Sequence, residues 1–439
     1  MKHAVITGIG IVSPFGLGWK RWVSGLQAGL SATRPISLFD PRFPQAAAFG
    51  DDAYAQVDYQ TSYKKHIAPP LPCQVAAEVP DFQPHAWISE RDYDRVPRVV
   101  PLALAATHEA LETAGLDTLS AAEKEDVHVV IGSGGGGFSF AEEQFAHWFG
   151  STTRQLSPYS VSSSIAGMVS SEISIAHGLR GRSHTISNGC TSSTDALGTS
   201  LDLIRSGRAH TVISGGADGP ITPGTIAAFC LMRAVPTKYN DCAAQASRPF
   251  DRDRDGFVLG EGAWIYVVEE LEHARARGAK LWAEIAGYGS TCEAYHRVAL
   301  GTPDEAARAM RLAFKDADVP PEAVDYANLH GTGTNLNDPL ETAAVKIALG
   351  ANAYHTPMSA TKSQIGHPQG ASGAAGIAAT LAAMHCHFVP PTINLENPAD
   401  GCDLDYVANT ARQAEVDTAL CNCLGFGSKN SALVLKHKP

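Results

Sequence analysis

The sequence predicts an α/β fold built from two related halves, and three observations carry that prediction. Short β-branched runs alternate with longer stretches of helical period. Two strand-into-G-x-G segments, "VHVVIGSGGG" (127–136) and "DYANLHGTGT" (325–334), stand about 200 residues apart. Each is followed by a further strand leading into a small-residue helix, "SHTISNGCTSST" in the first half and "PMSATKSQIGHPQGASGAAG" in the second. At 439 residues and 44% hydrophobic, the chain buries a large core and exceeds the usual single-domain length.

Taken in order, "HAVITGIGI", "HVVIGSG", "SHTISN", "HTVISGGAD", "WIYVVEEL", "YANLHGTGT" and "HTPMSATKS" read as strands. "DTALCNCLGFGSKNSALVL" reads as two more strands around a glycine turn. Leu197, Leu201 and Ile204 recur at helical spacing until "SGRAH", so Cys190 falls at a strand-to-helix junction. Residues about 41–72 have several prolines and no sustained period, and are expected to form an irregular surface excursion.

The formal net charge of −11 argues against a broad nucleic-acid or anionic-membrane surface, while leaving room for small basic clusters that meet an acidic partner. No uncharged apolar run reaches membrane-spanning length, and "MKHAVITGIG" reads as a strand rather than a signal peptide. A cytoplasmic protein is expected. Nine cysteines, odd in number and scattered, do not form a disulfide framework, and most are expected to be small buried hydrophobes.

Several motifs invite functional readings that weaken on inspection. Gly132, Gly134 and Gly137 have dinucleotide-fingerprint spacing, but no acidic strand end follows about 20 residues on, which favours a tight turn under a helix. Asp251, Asp253 and Asp255 open like a calcium loop, yet Gly262 stands where the closing carboxylate belongs and arginines intervene; a salt-bridged turn is favoured. The "CNC" at 421–423 lacks a second ligand pair, so structural cysteines are favoured there over zinc. Cys190 differs: at a helix start the dipole favours thiolate, and its neighbours are small and polar. His330, entering "GTGT", and His367, in "KSQIGHPQGASG" near Lys362, follow strands in the other half, where open α/β sheets place reactive groups.

In order after "GCTSS", the motifs "SRPFDRDRDGFVLGEGA", "HGTGTNLND", "KSQIGH", "VPPTINLENP" and "LGFGSKN" closely resemble the β-ketoacyl-acyl carrier protein synthases of the thiolase superfamily. The resemblance covers nearly the whole chain and is weakest over about 41–72. It implies a five-layered αβαβα duplication, with a half at 1–270 carrying the nucleophile and a half at 271–439 carrying the two histidines. It implies that Cys190 takes an acyl chain from the phosphopantetheine arm of an acyl carrier protein. His330 and His367 would then donate hydrogen bonds to a malonyl thioester as carbon dioxide leaves. Neither metal nor bound cofactor is implied. Lys362 and Glu341 would support the histidines, and the amides of Cys190 and Phe426 would hold the oxyanion, with Phe426 also a gate. Thr332 and Thr334 would meet the phosphopantetheine arm, Phe229 would line the acyl tunnel, and Arg91, Arg95 and Arg233 would meet the carrier protein. The active unit would be a homodimer, or a heterodimer with a chain-length-factor-like subunit.

Three departures qualify the resemblance. "SNGC" replaces the T-A-C of fatty-acid elongating enzymes and leans toward polyketide ketosynthases. Ser428 stands where "GFGG" has its second glycine, and "GHPQGASGA" resembles a thiolase motif. The competing readings are a non-catalytic chain-length-factor-like partner, which would lack Cys190, and a thiolase, which would need a second catalytic thiol such as Cys423.

Overall fold

A computed structural model describes residues 2–42, 70–150 and 155–438; residues 43–69, most of the segment expected to be irregular, lie outside the described residues. One long mixed sheet runs through the molecule. Its strand order is Met358–Ser359, Tyr326–Asn328, Thr418–Gly425, Lys429–Lys436, Ala283–Cys292, Ala4–Ser13, Gly262–Glu270, Thr211–Asp218, Val127–Gly132 and Ser183–Ile186. Read outward from the antiparallel seam where Ala4 faces Ile285, the two sides repeat one plan. In each, the first strand of the half pairs with its last, and the remaining three are parallel to one another. Each first strand even carries the same register shift, between Ile6 and Gly8 on one side and between Ile285 and Gly287 on the other.

The layers follow from the pleat, because successive side chains of a strand point to opposite faces. Val130, Val212, Trp264, Tyr266, Leu433 and Leu435 point into a central core shared with the helices Ser192–Arg205 and Ser372–Cys386. Their neighbours Val129, Ile131, Ile213, Ile265 and Val267 point into an outer core under Val99–Ala114 and Met168–His177. Ala432 and Val434 point into a second outer core under Asp304–Ala317 and Asn337–Leu349. Helix, sheet, helix, sheet, helix is the five-layered αβαβα arrangement.

Small residues set the spacing of these layers. The helix Ser372–Cys386, "SGAAGIAATLAAMHC", is rich in the best helix former and buried from Ser372 through Met384, as an all-apolar helix must be. On the outer faces, a Cβ on Gly10 would lie 1.8 Å from the Ala106 carbonyl oxygen, and one on Gly289 would lie 2.1 Å from that of Ala309. Glycine at both places lets a helix backbone rest directly on a strand, once in each half.

The strand Ala283–Cys292, "AEIAGYGSTC", is absent from the expected strands. It has no β-branched run, and its extended state comes from pairing on both sides with Ala4–Ser13 and Lys429–Lys436. Among the described residues no helix is long and apolar enough to cross a membrane.

Candidate active site

Cys190 lies in the single turn Gly189–Thr191 that links the edge strand Ser183–Ile186 to the helix Ser192–Arg205. The turn is tied by its own hydroxyls: Ser192 Oγ donates to the Gly189 carbonyl at 2.6 Å and accepts the Asn188 N–H at 2.8 Å. Beneath it, the Asp195 carboxylate accepts from Asn188 Nδ2, Thr191 Oγ1 and Tyr288 OH, all within 2.9 Å. The Cys190 loop therefore rests on a fully occupied polar floor.

His330 follows the strand Tyr326–Asn328, and the helix Asn337–Leu349 holds its loop. Glu341 accepts the His330 N–H at 2.6 Å and the Gly331 N–H at 2.7 Å, while its two oxygens also take Asn422 Nδ2 and Asn337 Nδ2. Asp338 accepts from the amides of Thr332, Gly333 and Phe250. His367 follows the short helix Lys362–Ile365 and is pinned by backbone bonds to Val258 and Gly260. Its Nδ1 accepts the Gln369 N–H at 3.0 Å, so a neutral His367 carries its proton on Nε2.

These elements bring one ligand-type atom each of Cys190, His330 and His367 within 4.8 Å of one another, all three residues buried. The imidazoles meet edge to face, with ring centroids 5.3 Å apart. A cavity of about 390 Å³ opens onto them, and Thr332, Thr334, Arg233 and Phe426 border it. Burial, reinforced by the Lys362 charge, holds both histidines well below their usual range, so they are neutral near pH 7. Burial lowers Lys362 as well, against the pull of Cys423, Glu341 and Cys190 toward the charged form.

The thiolate expected from the helix dipole does not hold. Burial pushes the Cys190 thiol up to about 11, although the Lys362 charge and the Phe426 backbone N–H favour its anion. The helix starts at Ser192, two residues beyond the thiol, and the water lost on burial outweighs its field. A protonated thiol, two neutral imidazoles and a backbone N–H gathered at one cavity suit acyl transfer through a thioester.

Residues 1–274 match the family described as "Beta-ketoacyl synthase, N-terminal domain", and residues 282–396 match "Beta-ketoacyl synthase, C-terminal domain". The chain belongs to the beta-ketoacyl synthase family. It is 39% identical to the 3-oxoacyl-[acyl-carrier-protein] synthase 2 of Coxiella burnetii, over 99% of this chain and 98% of the other. It is 40% identical to the tetracenomycin polyketide synthase ketoacyl synthase alpha subunit of Streptomyces glaucescens, over 99% and 97%. Among solved structures, a type II polyketide ketosynthase in complex with its acyl carrier protein superposes with a TM-score of 0.84 at 28% identity, covering 99% of each chain. A beta-ketoacyl synthase is a condensing enzyme of the acyltransferase type, which sets the thiolase reading aside.

In this beta-ketoacyl synthase the expected residues fall in four places. Cys190, His330, His367, Thr332, Thr334, Phe426 and Arg233 share the one cavity. Glu341 and Lys362 stand behind it, Glu341 through the backbone of the His330 loop. Phe229 borders a neighbouring cavity of about 230 Å³ with Phe138, the 134–136 glycines and Asp218. Its ring packs at 5.1 Å on Phe257 and 6.5 Å on Phe426, and Gln369 borders both cavities. Arg91 and Arg95 do not border the Cys190 cavity. Arg91 is exposed on the helix Glu90–Tyr93, whereas Arg95 is half-buried, paired with Asp92 at 3.0 Å and lying over the Tyr159 ring.

The glycine fingerprint is a turn, as favoured. The Gly134 and Gly135 amides donate to Asp218, which also takes Ser133 Oγ and, at 2.6 Å, the Gly370 amide of the His367 loop. One buried carboxylate thus locks a turn of the first half to the His367 loop of the second. Sequence reasoning missed Asp218; the signal was an acid closing the otherwise uncharged strand "TVISGGAD". Asp251 is occupied by Arg248 and three backbone amides, the salt-bridged turn expected there. The two cysteines of "CNC" part company: Cys421 meets Thr380 Oγ1, but Cys423 reaches the site, with Sγ 3.4 Å from His330 Nδ1. Both are buried, as expected of structural cysteines, and Cys423 also touches the Cys190 turn because the end of its strand lies against that turn. Ser428 takes a left-handed conformation, φ 63°, as the missing glycine would. Its hydroxyl accepts from the amides of Tyr295 and His296, fastening the "GFGS" turn to their loop.

Proposed function

We propose that the protein is a 3-oxoacyl-[acyl carrier protein] synthase that extends a Cys190-bound acyl chain by two carbons from a malonyl thioester. The convergence of the buried Cys190, His330 and His367 on one open cavity carries the reading. Cys190 attacks the incoming acyl thioester; the new C–S bond forms at its sulfur, the carrier thiol leaves, and the Cys190 proton passes to that thiol. The malonyl thioester then loses carbon dioxide. His367 Nε2–H donates to its thioester oxygen as enolate charge builds, with His330 and Lys362 beside it. The carbanion attacks the acyl-Cys190 carbonyl, whose oxyanion the Cys190 and Phe426 amides receive, and the released Cys190 sulfur takes a proton from solvent. No step needs a metal or a bound cofactor, so chelators are expected to leave the rate unchanged.

The phosphopantetheine arm would enter past Thr332 and Thr334, with Arg233 at the mouth meeting the carrier protein and Phe229 lining the acyl chain's path behind Phe426. Arg91 and Arg95 would serve as outlying carrier contacts. A second subunit would cover the edge strand Ser183–Ile186 and the neighbouring exposed apolar side chains Ile165 and Ile175, the latter 73% exposed. A chain-length-factor-like partner and a second copy both suit that face. A chain expressed alone that runs as a dimer and condenses would establish the second copy. A cytoplasmic setting, and either polyketide or fatty-acid synthesis, complete the proposal.

The test is incubation with acyl- and malonyl-loaded carrier protein, followed by intact mass of enzyme and product. Acyl-enzyme and a two-carbon extension are expected, and both vanish in Cys190→Ala. An adduct on Cys190→Ala overturns the proposal.

A further inference from the structure

Cys423 makes two contacts that a single thiol proton cannot serve alike. Its Sγ lies 3.0 Å from the Cys190 carbonyl oxygen and 3.4 Å from His330 Nδ1. A carbonyl oxygen only accepts, and 3.0 Å is too close for sulfur and oxygen without a hydrogen between them, so the S–H points at Cys190. The thiol keeps its proton, since burial raises Cys423 far above the usual thiol range. What remains toward His330 is a sulfur lone pair, and only a protonated Nδ1 makes that contact favourable.

We propose that Cys423 is a positioning residue that fixes His330 in the Nδ1–H tautomer, so that its Nε2 offers a lone pair. The two histidines are then opposites, rather than the two donors the family resemblance implies: His367, whose Nδ1 accepts from Gln369, presents an N–H, and His330 presents an acceptor. Resting on the condensing reading above, this supplies what a protonated Cys190 requires. His330 Nε2 accepts the thiol's hydrogen bond, takes the proton as the C–S bond forms, and returns it to the departing carrier thiol. Bonds and charge balance with no further reactant.

The experiment uses full-length protein labelled with ¹⁵N-histidine, and long-range ¹H–¹⁵N correlation at pH 7.5 reads each ring's tautomer. His330 is assigned by its loss in His330→Asn. Nδ1–H is expected for His330 and Nε2–H for His367. Cys423→Ala should mix or invert the His330 tautomer and slow acyl loading of Cys190 at least tenfold. Cys423→Ser, whose hydroxyl donates and accepts alike, should restore the Nδ1–H pattern and bring loading within about threefold of wild type. An Nε2–H His330 in the wild type overturns the proposal, as does a Cys423→Ala enzyme that loads at the wild-type rate. The spectra need no turnover, so a protein that shows the expected tautomers yet never condenses refutes the condensing function alone.

Discussion

The state of the Cys190 thiol is open to direct measurement. Burial moves it from the usual 9.0 to about 11, a displacement worth about 3 kcal/mol against the anion. At pH 8 the thiolate fraction is then about one in a thousand, where an unperturbed thiol would give about one in ten. Alkylation by iodoacetamide should therefore rise close to tenfold per pH unit from pH 7 through pH 10 without levelling. Quenched digests read by mass spectrometry follow the Cys190 peptide, with exposed Cys242 and Cys292 as internal references. The Lys362 charge opposes the shift, and a nearby opposite charge is typically worth about one unit or more. Lys362→Met should accordingly slow Cys190 alkylation about tenfold at pH 8. A plateau with a midpoint below pH 8, or faster alkylation in Lys362→Met, would refute the account.

Three further outcomes rest on separate parts of the molecule. Glu341 uses both oxygens on four donors, so Glu341→Gln leaves an amide N–H₂ against donors whichever way it turns. A loss of about 2–4 kcal/mol in urea unfolding is expected, and an unchanged midpoint counts against the arrangement. Gly10→Ala and Gly289→Ala should each cost about 3 kcal/mol or prevent folding, while Gly167→Ala, where no atom lies within 4 Å of the new Cβ, should stay within about 0.5 kcal/mol. Burial holds His177 down at about 4 against an unfolded value of 6.5, so the unfolded chain gains a proton that the fold excludes as pH falls below 6.5. That contribution is intact at pH 8 and about 2 kcal/mol weaker at pH 5, and His177→Phe should lose this part of the acid sensitivity in denaturant titrations at the two pH values.

Much of the fold was legible because its signals are local and repeated. Strands of the first half such as "HTVISGGAD" are β-branched, and the strand-into-G-x-G echo marks Val127–Gly132 and Tyr326–Asn328 as equivalents, which the sheet order bears out. Ala283–Cys292 escaped because its strand state is imposed by two neighbours rather than by its own residues. Within the site, Cys190, His330 and His367 were legible as strand-end residues of two similar halves. Asp218 and Cys423 were not, since what matters about them is a contact across the halves with Gly370, Cys190 and His330.

The misjudged charge on Cys190 has the same origin. A helix N-terminus can be read from sequence, and its field contributes roughly 0.3–1 kcal/mol, up to about 2 in favourable geometry. Full burial penalises an anion by as much as three to five pKa units, about 4–7 kcal/mol, and depends on what the other half of the chain packs against the loop. Here that packing is the Cys423 strand and the Phe426 turn, more than 230 residues downstream. The larger effect is the one the local sequence does not carry, so a cysteine at a helix start marks a nucleophile's position without fixing its protonation. For the thioester-forming reaction proposed above this is a workable resting state: the thiol stays neutral until a substrate fills the cavity, and in that proposal His330 takes its proton only as the new bond forms.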